Sequence, residues 1–235
     1  MVPAPLRYPF RGERRLDTLL VGGGLHLLAV YVPVAPLVVA LGYLVAVLRD
    51  TSARDERAMF EALPPFRDLR AVVRLGVGAS AVVVAFLAPA AVVLVVTVAG
   101  LTQAPLSPGD VSFGTSLGFV AGSTASLLLA VAFTYLLPAA LANFAATGRL
   151  RAAFDGRVLA RAAGDGAYFY DVVLGLVAGG VLLVLARATT AYAVGFFLAF
   201  YAELVAVGFW SRGVRRALPG LARAASESRE AAARD

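Results

Sequence analysis

Cysteine is absent from this chain, and so is lysine; histidine and tryptophan occur once each. Without a thiol there is no disulfide, no thiolate catalysis, no cysteine-ligated metal and no palmitoyl anchor. A lone histidine, His26, excludes a histidine-rich metal site. Without lysine the phosphate-cradling loop of nucleotide hydrolases cannot be built, which argues against an energised ATPase subunit. No cofactor and no metal are therefore expected. Charge is scarce too: 15% of the 235 residues are charged and 60% are hydrophobic, against about 25% charged in soluble domains. A soluble chain this apolar would leave large greasy patches in water.

What the chain does have is a series of long apolar runs. Five charge-poor stretches cover Thr18–Leu48, Leu75–Leu101, Thr115–Thr147, Tyr168–Ala186 and Ala188–Trp210, the last interrupted by one charge, Glu203. Runs of about 20 apolar residues are the mark of membrane spans. The first stretch is long for one span and has Pro33 and Pro36 near its middle, where proline removes a helix hydrogen bond. It predicts a hairpin: a short helix over Leu16–Val32, a turn at Pro33–Pro36 and a second helix over Leu37–Leu48. Both helices are short for a hydrocarbon core of about 30 Å, so a re-entrant pair stays open. The basic N-terminal residues Arg11, Arg14 and Arg15 look like the start of a signal peptide. The run behind them is too long, and lacks a small-residue cleavage site, so no cleavable signal is expected.

The arginines orient this arrangement. With the hairpin counted as two segments, residues 1–15, 49–74, 148–167 and 211–235 fall on one side and hold 20 of the 21 arginines; only Arg187 falls elsewhere. Basic residues collect on the cytoplasmic side. The expectation is an all-α, polytopic membrane bundle of six segments with both termini cytoplasmic, in the cell membrane. Residues 1–216 would form one multi-pass domain and 217–235 an Ala/Arg-rich cytoplasmic tail. The formal charge of +6 is then loop bias and not a nucleic-acid footprint. The loop over Thr102–Gly114, rich in turn formers and with one acid and no base, suits the outer side.

Pro89 and Pro138 lie inside the second and third stretches. They predict either packing kinks or broken helices lining a substrate site. Small residues recur every four positions at Gly114, Gly118, Gly122, Ser126 and Ala130, a face on which helices can approach closely; Gly175 and Gly179 repeat the pattern. The loop over residues 49–70 mixes charges with Met59, Phe60, Leu63, Phe66 and Leu69 and is expected to lie along headgroups, apolar side chains down. Arg212, Arg215 and Arg216 could meet headgroups at the end of the last stretch.

A family resemblance rests on the run Asn143-Phe144-Ala145 and the following Gly148-Arg149-Leu150-Arg151-Ala152-Ala153-Phe154-Asp155, together with Pro9-Phe10-Arg11, Leu41-Gly42-Tyr43-Leu44, Phe200-Tyr201 and Trp210-Ser211-Arg212-Gly213. These resemble the archaeal membrane proteins of the domain-of-unknown-function 4013 family, over most of residues 8–216. The resemblance implies a location and an architecture. It brings no catalytic residue.

Chemistry was sought in the remaining polar residues. Tyr170-Asp171 and Gly164-Asp165-Gly166 look superficially like the two motifs of intramembrane aspartyl proteases, but they lie six residues apart at one membrane edge, where the two aspartates cannot come from two helices deep in the bilayer. No spacing selects Ser80, Ser123 and His26 as a hydrolase pair. Glu203 is the most informative residue, because ionisable groups within a span are rare and face a protein interior or a wet cavity. Asn143 and Arg74 are its candidate partners by depth, and His26 is a further interior polar group. The candidate polar site is thus Glu203, Asn143, Arg74 and His26, and the candidate packing face is Gly114, Gly118, Gly122 and Ser126. Two functions fit: a non-enzymatic membrane protein that assembles with or organises other membrane components, or a small permease or channel using Glu203 and proline-broken helices. The expected partners are the lipid bilayer and either other membrane proteins or a second copy of this chain, and not nucleic acid.

Overall fold

The computed structural model describes residues 3–12, 15–54, 58–66, 68–102 and 113–221. Among them every regular element is helical: α1 (Ala4–Arg7), α2 (Arg15–Leu28), α3 (Ala35–Ala53), α4 (Leu69–Thr102), α5 (Phe113–Thr147), α6 (Gly156–Ala163), α7 (Gly166–Ala188) and α8 (Val194–Ala217), with short 3-10 turns between some of them. Five helices are long and apolar enough to cross a membrane: α3, α4, α5, α7 and α8. The apolar α2 has 14 residues, which at about 1.5 Å each gives roughly 21 Å.

The hairpin is present with shifted edges. Helix α2 stops at Leu28, residues 29–34 turn, and Pro36 lies not in the turn but in the first turn of α3. There the missing N–H of proline costs nothing, because that position has no intrahelical acceptor. Helix α3 also runs past Leu48 to Ala53, and Asp50 pairs with Arg54 just beyond its end. Pro89 and Pro138 are enclosed in continuous helices, so neither breaks its helix.

The chain divides into two compact units. The first, residues 1–82 and 138–235, is organised around α8, against which α2, α3 and α7 all pack. Leu204 to Phe209 are all buried. Gly175 and Gly179 serve the α7–α8 contact: a Cβ on Gly179 would lie 3.1 Å from Ala206 Cβ, and one on Gly175 would lie 3.1 Å from the Ala206 oxygen. Helices α3 and α4 cross at Gly42 and Gly76, where a Cβ on either would press into the other helix's main chain.

The segment before α2 is tied to α8. Tyr201 Oη donates to the Leu6 oxygen at 2.9 Å, and Pro5 lies against Gly208. Tyr8 is fully buried, edge-on to Phe60, with its hydroxyl 2.9 Å from Thr51 Oγ1. Burial pushes its pKa up to about 12. Met59 and Phe60 are buried within this unit. Phe66 stacks on Tyr43 at 3.7 Å, and Tyr43 Oη donates to the Pro64 oxygen at 2.8 Å, so the loop is drawn onto α3.

The second unit, Val83–Leu137, pairs the second part of α4 with the first part of α5. Among its described residues Phe86, Ala90 and Ser126 are the buried ones. Ser126 Oγ donates to the Ala90 oxygen at 2.8 Å, and a Cβ on Gly122 would collide with Thr97 Oγ1. The small-residue face is therefore used at Gly122 and Ser126. Among the described residues no heavy atom lies within 4 Å of a Cβ built on Gly118. The surroundings of Gly114 lie outside the described residues.

Candidate functional site

The polar site around Glu203 forms where α2 crosses α8. Gly22 and Gly23 have no side chain, so the rings of Phe200 and Phe197 lie directly on the α2 backbone. This close approach brings His26 to Glu203, with Nε2 and Oε1 3.1 Å apart. The other ring nitrogen, Nδ1, lies 2.9 Å from the Gly22 carbonyl oxygen. A carbonyl only accepts, so Nδ1 carries a proton. The Nε2–Oε1 contact then holds one shared proton: either imidazolium against carboxylate, or neutral imidazole accepting from a protonated carboxyl. Both forms have no net charge, which removes most of the cost of placing ionisable groups in an apolar layer. The Phe200 ring, fully buried, closes the pair from one side with its centroid 5.9 Å from that of His26. Oε2 of Glu203 is buried and has no hydrogen-bond partner among the described residues.

Two of the four predicted polar residues thus come together, and the expected partners of Glu203 are replaced by His26. Arg74 is exposed on α4. Asn143 is buried, and its amide donates to the Ala152 oxygen at 2.7 Å. That bond gives the run 143–155 its structural sense. Asn143 holds the short 3-10 segment Leu150–Phe154 beneath α5, Gly148 supplies a positive φ of +68° for the reversal, and Asp155 caps α6 by accepting from the nitrogen of Arg157 at 2.9 Å.

The sequence reading missed a second charged group in this unit. Asp171, on α7, is fully buried and accepts from Arg212 Nε at 2.9 Å and from Arg216 Nη1 at 3.3 Å. Gly213 lets α7 come this close, since a Cβ there would lie 3.0 Å from Asp171 Cβ. Arg212 also lies over Phe209, 5.3 Å from the ring centroid. The usable signal was Arg212 and Arg216, four apart and hence on one helix face, with an aspartate near the arginine-rich end of the preceding helix. Among the described residues no three His, Asp or Glu side chains gather in a way that could hold a metal.

A family model described as a protein of unknown function, DUF4013, matches residues 25–200. The chain belongs to the DUF4013 family. The match takes in His26, the 143–155 run and Asp171, whereas Pro9-Phe10-Arg11 and Trp210–Gly213 lie outside it, as do Glu203 and Arg212. No curated protein and no solved structure matches the chain. In this DUF4013 protein the α2–α8 pair is therefore joined by one residue inside the matched region and one just beyond it.

Proposed function

We propose that this DUF4013 protein is a non-enzymatic, multi-pass protein of an archaeal cell membrane that assembles with or organises other membrane components. In this reading α2 completes six membrane segments, both termini are cytoplasmic, and the partners are lipid and either other membrane proteins or a second copy of the chain. The observation that carries it is the His26–Glu203 pair: the ionisable group inside the last helix is spent on a neighbouring helix, as a tie between α2 and α8. The 83–137 unit supports the assembly part, because it buries little of its own surface and displays long apolar helices. With six segments, 20 of the 21 arginines fall on one side, which supports the orientation.

A second reading has one observation in its favour. The buried Oε2 of Glu203 has no hydrogen-bond partner among the described residues, which suits a group that exchanges a proton or cation in a small permease or channel. Two measurements separate the readings. Photo-crosslinking from Val95 and Leu128 in native membranes should give discrete protein adducts, and crosslinks to lipid alone would contradict assembly. In proteoliposomes under a pH gradient the assembly reading predicts no flux above empty vesicles. A flux that Glu203→Gln abolishes would overturn it in favour of transport.

A further inference from the structure

We propose that the basic end of α8 forms a binding site for a phosphate-type anion, of the kind carried by an anionic phospholipid headgroup. A cavity of about 460 Å³ is lined by Arg212, Arg215 and Arg216 on α8, by Met59 and Phe60, and by Ala4 and Pro219. That size falls within the range of roughly 300–1,000 Å³ usual for small-molecule sites. Among the described residues the lining contains three guanidinium groups and no carboxylate.

The guanidiniums are held in place before any ligand arrives. Asp171, behind the wall, fixes Arg212 and Arg216. Arg215 Nη1 donates to the Arg54 carbonyl oxygen. Arg54 in turn is fixed by Asp50 and by the Ala62 oxygen, 2.8 Å from its Nη1. An arginine has five N–H donors, so Arg212 and Arg215 keep donors beyond the bonds that position them. Planar forks arranged this way match the oxygens of a phosphate, which a single ammonium would not do as well. The other wall is apolar: Ala4, Met59, Phe60 and Pro219 suit the glycerol and first acyl carbons of a lipid better than a fully hydrated ion. The site uses only the first unit and does not depend on the assembly reading.

The test uses the full chain in a neutral detergent, titrated with short-chain phosphatidylglycerol, short-chain phosphatidylcholine and inorganic phosphate, with thermal unfolding and native mass spectrometry as readouts. Phosphatidylglycerol should raise the melting temperature in a saturable way that added salt weakens, and phosphatidylcholine should not. Arg215→Gln leaves the Asp171 contacts untouched and should weaken binding about tenfold or more. Arg215→Lys, which keeps the charge and loses the fork, should fall between. If inorganic phosphate binds as tightly as the lipid and competes with it, the site takes a free phosphate and the anion assignment stands. Absence of saturable binding by either anion, or equal binding by Arg215→Gln when it melts like the parent, overturns the proposal.

Discussion

Gly42 and Gly76 sit where α3 and α4 meet backbone to backbone, and alanine at either position has no room. A Cβ on Gly42 would press into the Val72 carbonyl oxygen and lie 2.8 Å from the Gly76 nitrogen; one on Gly76 would press into the Val38 carbonyl oxygen and lie 3.2 Å from the Gly42 nitrogen. Carbon contacts settle near about 3.5–4.0 Å, so the helices would have to part by on the order of 1 Å at the crossing. The obstacles are helical main-chain atoms, which cannot rotate aside as a side chain can. Overpacking costs about 1–3 kcal/mol, and a collision with backbone belongs at the upper end. Alanine gains about 1 kcal/mol over glycine in helix propensity, leaving a net loss of about 2 kcal/mol. Gly118→Ala meets no heavy atom within 4 Å among the described residues and keeps only the gain. Thermal loss of helical circular dichroism in lipid nanodiscs should therefore fall clearly for Gly42→Ala and Gly76→Ala and not for Gly118→Ala. The double variant should lose less than the sum, because both substitutions act on one contact. If the two crossing variants melt with Gly118→Ala, the close crossing is refuted.

Asp171→Asn removes the only carboxylate that Arg212 is shown to meet, at a fully buried position. A loss of about 3 kcal/mol is expected, measured by the same melts, and an unchanged melting temperature would contradict the buried network. Tyr8 keeps its proton to about pH 12 in the fold, against about 10 in an unfolded chain. The folded state then holds a proton that the unfolded state has released, so stability is steady below about pH 10 and declines from there toward about 12. Near-ultraviolet titration of the parent minus Tyr8→Phe should show this phenolate forming near pH 12, and its appearance near 10 would mean that Tyr8 is not buried.

The long apolar runs were legible because hydrocarbon demands many consecutive apolar residues and leaves that demand written in composition. The hairpin was legible from its prolines, but its edges were not. Pro36 is acceptable in a first helical turn, and Arg49, Asp50 and Arg54 continue α3 or pair at its end, where hydropathy alone ends the run. Glu203 stood out as a charge among apolar residues. Its partner did not, because depth along a helix says nothing about which helix crosses it; the contact of Gly22 and Gly23 with Phe200 and Phe197 decides that, across more than 170 residues of sequence. Asp171 was read only as half of a protease-like pair with Asp165, six residues away, and not as a buried acid. Its burial depends on Gly213, a residue of the following helix. The small-residue face meets α4 at Gly122 and Ser126; periodicity identifies such a face but not the length over which a neighbour covers it.

The central claim is that the short α2 completes an even number of membrane segments, so that the start and the end of the chain share one side. A chain without cysteine allows this to be measured directly by placing single cysteines at Ala4, Ser107, Leu150 and Tyr192 and treating intact cells with an impermeant maleimide. The account predicts labelling of Ser107→Cys and Tyr192→Cys from outside, and labelling of Ala4→Cys and Leu150→Cys only after the membrane is opened. Labelling of Ala4→Cys in intact cells while Leu150→Cys stays protected would place the N-terminus outside and contradict it.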